Sequence, residues 1–165
     1  MNEFEKNRKL ERKFIKTAKC ILGFQFVNQD IKKDLEEGID FLTFSISPIK
    51  VGFRLRRFNY LKFKDEFTIR WSISSGNPTE IDKIRNGDID YILYGFVNQE
   101  ETKIIRYFIG DLTIFRDYEQ GMMPKIYKNK FENDSELAVY SIKNFPSDFI
   151  VKNYKQTSEL SGYAR

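Results

Sequence analysis

The chain has 165 residues, with 28 Lys+Arg against 24 Asp+Glu, a formal net charge of +4 and a hydrophobic share of 41%, which suits one folded domain rather than a disordered chain. It has no His and one Cys. These counts exclude Ser-His-Asp and Cys-His catalytic units, a histidine general base, Cys/His zinc sites and an intrachain disulfide.

Any chemistry therefore falls to carboxylates, Lys, Tyr or Arg, with or without a hard oxygen-bound metal. The charge is uneven: residues 1–19 hold seven Lys/Arg and three Asp/Glu, while the rest of the chain is balanced. Asn2 and Glu5 form a capping-box pattern, and Leu10, Phe14, Ala18 and Ile21 recur at helical spacing. Residues 3–22 are thus predicted as an amphipathic helix ending at Gly23, with Lys9, Lys13 and Lys16 on the other side. That basic face is either a solvated helix surface or a surface for phosphate or an acidic partner.

Phe24–Val27 is predicted as a short strand and Ile31–Gly38 as a polar loop or helical turn. β pattern begins at Ile39 and runs to Ile46, followed by a turn at Ser47-Pro48. Lys50–Arg57 alternates, with Val51, Phe53 and Leu55 on one face and Gly52, Arg54 and Arg56 on the other. Glu66–Ile73 alternates likewise, with Phe67, Ile69, Trp71 and Ile73 opposite Glu66, Thr68, Arg70 and Ser72. Asn77-Pro78-Thr79-Glu80 predicts a helix start, with Asn77 as N-cap, Pro78 as the first helical residue and Glu80 reaching back. Ile89–Val97 is apolar on both faces, as a doubly buried central strand is. Thr102–Ile109 predicts the next strand and Asp111 caps a helix to about Glu119. A loop over 121–135, a strand over Glu136–Ile142 and a helix over Pro146–Tyr154 complete the expectation. The fold class is α+β, or α/β, with a mixed central sheet flanked by helices. Residues 1–155 form a single domain and 156–165 a loose tail.

The order of a helix, three strands, a crossover helix and a further strand over residues 3–110 resembles the PD-(D/E)XK nuclease-like (restriction-endonuclease-like) fold. That resemblance implies an acid on the second core strand, matched here by Asp40 in Gly38-Ile39-Asp40-Phe41. The family's acid-x-Lys strand has no match. The two strands that could carry it contain Phe53-Arg54-Leu55-Arg56 and Phe67-Thr68-Ile69-Arg70, so the motif is degenerate or has migrated. A migrated set would use the helix Thr79-Glu80-Ile81-Asp82-Lys83. The resemblance then implies Asp40, Glu80 and Lys83 as catalytic residues, with Asp40 and Glu80 holding Mg²⁺ for phosphodiester cleavage.

Each of these residues has a structural alternative: capping for Glu80, a solvated surface for Lys83, and an ion pair with Arg54, Arg56 or Arg57 for Asp40. Arg54, Arg56 and Arg70 occupy polar-face positions of consecutive strands, so aligned faces would cluster them as an anion site for a nucleic-acid backbone or nucleotide. Pairing with Asp65, Glu66 and Glu80 is the alternative. Phe58, Tyr60 and Trp71 lie nearby in sequence as base-stacking candidates or core.

The sequence thus supports two functions. One is a Mg²⁺-dependent nuclease, active or not. The other is a non-catalytic binding protein, such as a phage-type inhibitor that binds nucleic acid or a host protein. No apolar run approaches the ~18 residues of a membrane span, so the expectation is a cytoplasmic protein, and the heavy usage of Ile, Lys, Asn, Phe and Tyr suggests an AT-rich coding genome of a bacterium or phage.

Overall fold

In the computed structural model the described residues are 3–22, 41–42, 49–129 and 135–155. Asp40, Gly23, the Phe24–Val27 strand, the segment 31–38, the turn at Ser47-Pro48 and the tail 156–165 lie outside them.

The amphipathic segment forms as two helices, α1 (Glu3–Lys13) and α2 (Ile15–Leu22). At their junction the Phe14 amide donates to the Glu11 carbonyl at 3.0 Å, a tight i−3 bond, and the Phe14 carbonyl accepts from Ala18 N at 2.9 Å, restarting the α ladder. Leu10, Phe14 and Ala18 are buried.

The strands are β1 (Phe41–Leu42), β2 (Lys50–Arg56), β3 (Glu66–Ile73), β4 (Tyr91–Val97), β5 (Ile104–Asp111), β6 (Lys125–Lys128), β7 (Ser135–Ser141) and β8 (Ile150–Lys155). Two further helices are α3 (Glu80–Arg85) and α4 (Leu112–Glu119). The architecture is α+β: a five-stranded sheet in the order β1-β2-β4-β5-β8 and a three-stranded sheet in the order β3-β7-β6. β2 and β4 are parallel, and every other pairing among the described residues is antiparallel. β4 lies at the centre and is buried from Ile92 to Val97, as its two apolar faces require.

On one face of the large sheet, α1 and α2 cover Val51, Phe53, Leu55, Leu93 and Val97. On the other, Ile92, Tyr94, Phe96 and Phe108 meet Phe67 and Ile69 of β3, Ile81 and Ile84 of α3, and Leu112 and Phe115 of α4. Phe67 is fully buried and lies 5.6–6.3 Å, centroid to centroid, from the rings of Tyr94, Phe108, Phe115, Tyr140, Phe145 and Phe149. A second lock joins α3, α4 and β7. Buried Glu119 accepts from Arg85 Nε at 3.1 Å, Arg85 Nη2 at 2.7 Å and Tyr140 Oη at 3.1 Å. Gly110 serves close packing, because a Cβ there would lie 2.8 Å from Cζ of Phe149.

Four expectations are corrected. β2 and β3 are not neighbours in one meander but lie in different sheets. Residues 125–128, expected in a loop, form β6, an exposed strand made by pairing with β7. The helix expected over 146–154 is instead a 3₁₀ turn at Ser147–Phe149 followed by β8, which pairs with the edge of β5. Finally, α3 starts at Thr79, whose Oγ1 and amide both engage Asp82 Oδ2 at 2.8 Å, rather than at Asn77. Thr-x-x-Asp satisfies the helix N-terminus as well as Asn-x-x-Glu would, and it leaves the Glu80 carboxylate for other partners. Among the described residues, no helix is long and apolar enough to cross a membrane.

Phe67→Ala is expected to lower the unfolding free energy by roughly 3–5 kcal/mol, the usual cost of deleting a buried Phe. Urea denaturation checks this. A loss under about 1 kcal/mol would show that the cluster repacks without it.

Candidate functional site

Strand alternation gives the small sheet two unlike faces. Phe67, Ile69, Ala138 and Tyr140 enter the core. Thr68, Arg70, Leu137, Val139, Lys125 and Tyr127 belong to the opposite face, as their register requires. That second face forms one wall of a cleft of about 860 Å³. The facing wall is the polar side of β2, with Gly52, Arg54 and Arg56. Glu80 and Lys83 of α3 also line it, and Asn7, Arg8 and Glu11 of α1 close one side. Tyr60 and Phe63 come from the 3₁₀ helix of residues Phe58–Phe63.

Eight Lys/Arg side chains line this cleft against three carboxylates, Glu11, Glu66 and Glu80. Two of the carboxylates are engaged internally. Glu80 Oε2 accepts from Arg54 Nη2 at 2.8 Å and from the Arg70 amide at 3.0 Å, and so ties β2 to β3. Glu11 Oε1 accepts from the Leu55 amide at 3.3 Å. Burial of the Glu11 carboxyl pushes its pKa above the ordinary value, and this outweighs the opposing pull of Arg54, the Leu55 amide and Arg56.

The cations are less fully matched. Arg56 Nε donates to Tyr94 Oη at 2.8 Å, its Nη2 donates to Thr68 Oγ1, and its guanidinium lies 5.8 Å from the Tyr60 ring centroid and 5.7 Å from that of Tyr94. Among the described residues no carboxylate forms an ion pair with Arg56, Lys83, Lys125 or Lys128. Arg57 is held by Glu101 at 3.0 Å and by Asn7 Oδ1 at 2.9 Å.

Of the residues singled out in the sequence, Arg54, Arg56, Arg70, Glu80 and Lys83 all line this one cleft. The three arginines meet across two sheets, not side by side in one. Asp40 lies outside the described residues. Trp71 does not line the cleft; its ring carries the Arg85 guanidinium at 4.8 Å.

Spacing did not point to Glu11, Lys125, Tyr127 or Lys128. Glu11 had one signal, a carboxylate directly beside Leu10 of the apolar stripe. The β6 residues had none, because their place depends on pairing with β7.

The Mg²⁺ that the nuclease resemblance implies needs several oxygen ligands left open by other donors. Glu80 Oε2 already takes two donors, one of them the cationic Arg54. Among the described residues, no group of three His, Cys, Asp or Glu side chains could hold a metal ion. Glu80 would have to leave Arg54 to hold Mg²⁺, and Asp40, the other ligand the resemblance implies, lies outside the described residues. No family model matches the chain, and neither does any curated protein or solved structure.

The Glu11 shift sets a pH dependence. Below its ordinary value of 4.5 the carboxyl is protonated in both the folded and unfolded chain. Above it, the unfolded chain ionises while the folded one keeps its proton, so stability is lost as pH rises through the folded value. Glu11→Gln removes this loss. Thermal melts should show the variant gaining on the wild type between acid and neutral pH. A constant difference across that range would refute the burial argument.

Proposed function

We propose that the cleft between the two sheets binds single-stranded nucleic acid. The observation that carries this reading is the excess of eight cations over three carboxylates in one cleft, two of those carboxylates being already engaged. Phosphates are taken by Arg56, Arg70, Lys83 and Lys125, in the pattern of guanidinium and ammonium groups on a sugar-phosphate backbone.

The apolar share of the same walls supports bases rather than phosphates alone. Leu137 and Val139 are half-buried there, and Phe63 and Tyr127 are 47% and 55% exposed. Unpaired bases stack on such rings, which a duplex keeps out of reach. A volume of about 860 Å³ also suits a few nucleotides, not a double helix. A single cysteine fits a reducing, cytoplasmic setting. The nuclease reading requires Glu80 to leave Arg54. Mg²⁺-dependent cleavage of a labelled strand, lost in Asp40→Ala, would establish it in place of simple binding.

Fluorescence anisotropy with labelled oligothymidylate and a matched duplex tests the proposal. The single strand should bind more tightly, and with about four phosphate contacts its log affinity should fall with log salt at a slope near −3. Replacing Arg56 and Lys125 together by Gln should flatten that slope by roughly 1.4. Absence of binding at low salt, or a salt-independent affinity, would overturn it.

A further inference from the structure

We propose that a strand held in the cleft continues over a cationic ridge on the exposed side of α1 and α2. This inference rests on the cleft reading above. Arg8 lines the cleft, and Arg12 and Lys16 follow it at i+4 and i+8. Arg8 and Arg12 lie along one ridge of α1. Lys16 continues it on α2 past the junction at Phe14, across which Leu10, Phe14 and Ala18 keep the opposite, buried side. The ridge thus starts at the cleft and leads away from it. Lys9 and Lys13 flank it, and Lys9, Arg12, Lys13 and Lys16 are all exposed.

Among the described residues no carboxylate forms an ion pair with any of these four. Glu11, the acid nearest in sequence, points its carboxyl to Leu55 N. The ridge from Arg8 to Lys16 spans roughly 12 Å at 1.5 Å per residue, room for about three or four phosphates at ~3.4 Å per strand residue.

The occupant is a nucleic-acid strand and not a lipid surface. Helices that lie on membranes sink an apolar face into the headgroup boundary. Here that face, with Leu10, Phe14 and Ala18, is already spent against β2 and β4.

The test compares oligothymidylates of about four and about sixteen nucleotides, the span of site sizes for single-strand binding folds. The probe proteins are the wild type and a variant with Lys9, Arg12, Lys13 and Lys16 all changed to Gln. The short strand should bind both proteins within about twofold, because it fills only the cleft. For the long strand, the wild type should show a steeper salt slope than for the short one, and the variant should lose about 2–3 of it. An unchanged melting temperature for the variant confirms that only surface charge was removed. Equal salt slopes for the two strands, or no effect of the variant on the long one, would overturn the ridge. So would binding of the wild type to anionic phospholipid vesicles but to neither strand. If only the long strand binds and the variant abolishes it, the ridge stands and the cleft reading fails.

Discussion

The position of the cleft depends on one buried ring. Phe67 touches aromatic side chains from β4, β5, α4, β7 and the segment carrying Phe145 and Phe149, so it clamps the small sheet onto the large one. Because side chains alternate along β3, fixing Phe67 inward fixes Thr68 and Arg70 on the other face. A one-residue slip of β3 would send Phe67 into the cleft and Arg70 into the core. Phe67 thereby helps set the electrostatics of a site that it does not itself line.

The same alternation acts on β2. Val51, Phe53 and Leu55 bury against α1 and α2, which turns Arg54 and Arg56 toward β3. Two strands with opposite partners thus present their arginines to the same space. Bringing several guanidinium groups together is unfavourable without compensation. Glu80 supplies part of it, bonded to Arg54 on one strand and to the Arg70 backbone on the other. Tyr94 and Thr68 supply another part, accepting from Arg56 without neutralising it.

Much of this was legible in the sequence wherever period alone decides. β2, β3, β4, α4 and the buried stripe of α1 and α2 follow from spacing of two or about 3.6, because each has one apolar face or two. The errors fall where a distant partner decides instead. Lys125–Lys128 is short and wholly exposed, so it carries no pattern, and only the β7 edge makes it a strand. Ile150–Lys155 is another edge strand, with Val151 and Tyr154 exposed, and its pattern is as compatible with a helix. The arginine cluster could be seen as a set of polar-face positions, but its route could not. Adjacency in one sheet was the natural assumption for consecutive strands. The α3 start shows the limit of local rules, since two overlapping capping patterns compete within six residues and tertiary bonding of Glu80 favours the later one.

The balance of charges within the cleft bears on both readings, binding and hydrolysis. Metal-assisted cleavage needs carboxylates that are ionised, convergent and not held by cations. Here the buried carboxyl of Glu11 is pushed toward its neutral form, and Glu80 is held by a guanidinium at 2.8 Å. The Arg54 pairing lowers the negative charge that the cleft presents, since a paired Glu80 is partly cancelled by Arg54. The net charge of +4 on the whole chain is too small to draw a polyanion from a distance in physiological salt, where screening acts within about 8 Å. Attraction must therefore be local. Lys83, Lys125, Lys128 and Arg56 lie inside one concave surface with few opposing carboxylates, so field lines concentrate there rather than spreading into solvent. On the reading proposed above, the cleft would hold an anionic strand in place, while Glu80 sets the arginine positions through Arg54 and the Arg70 backbone.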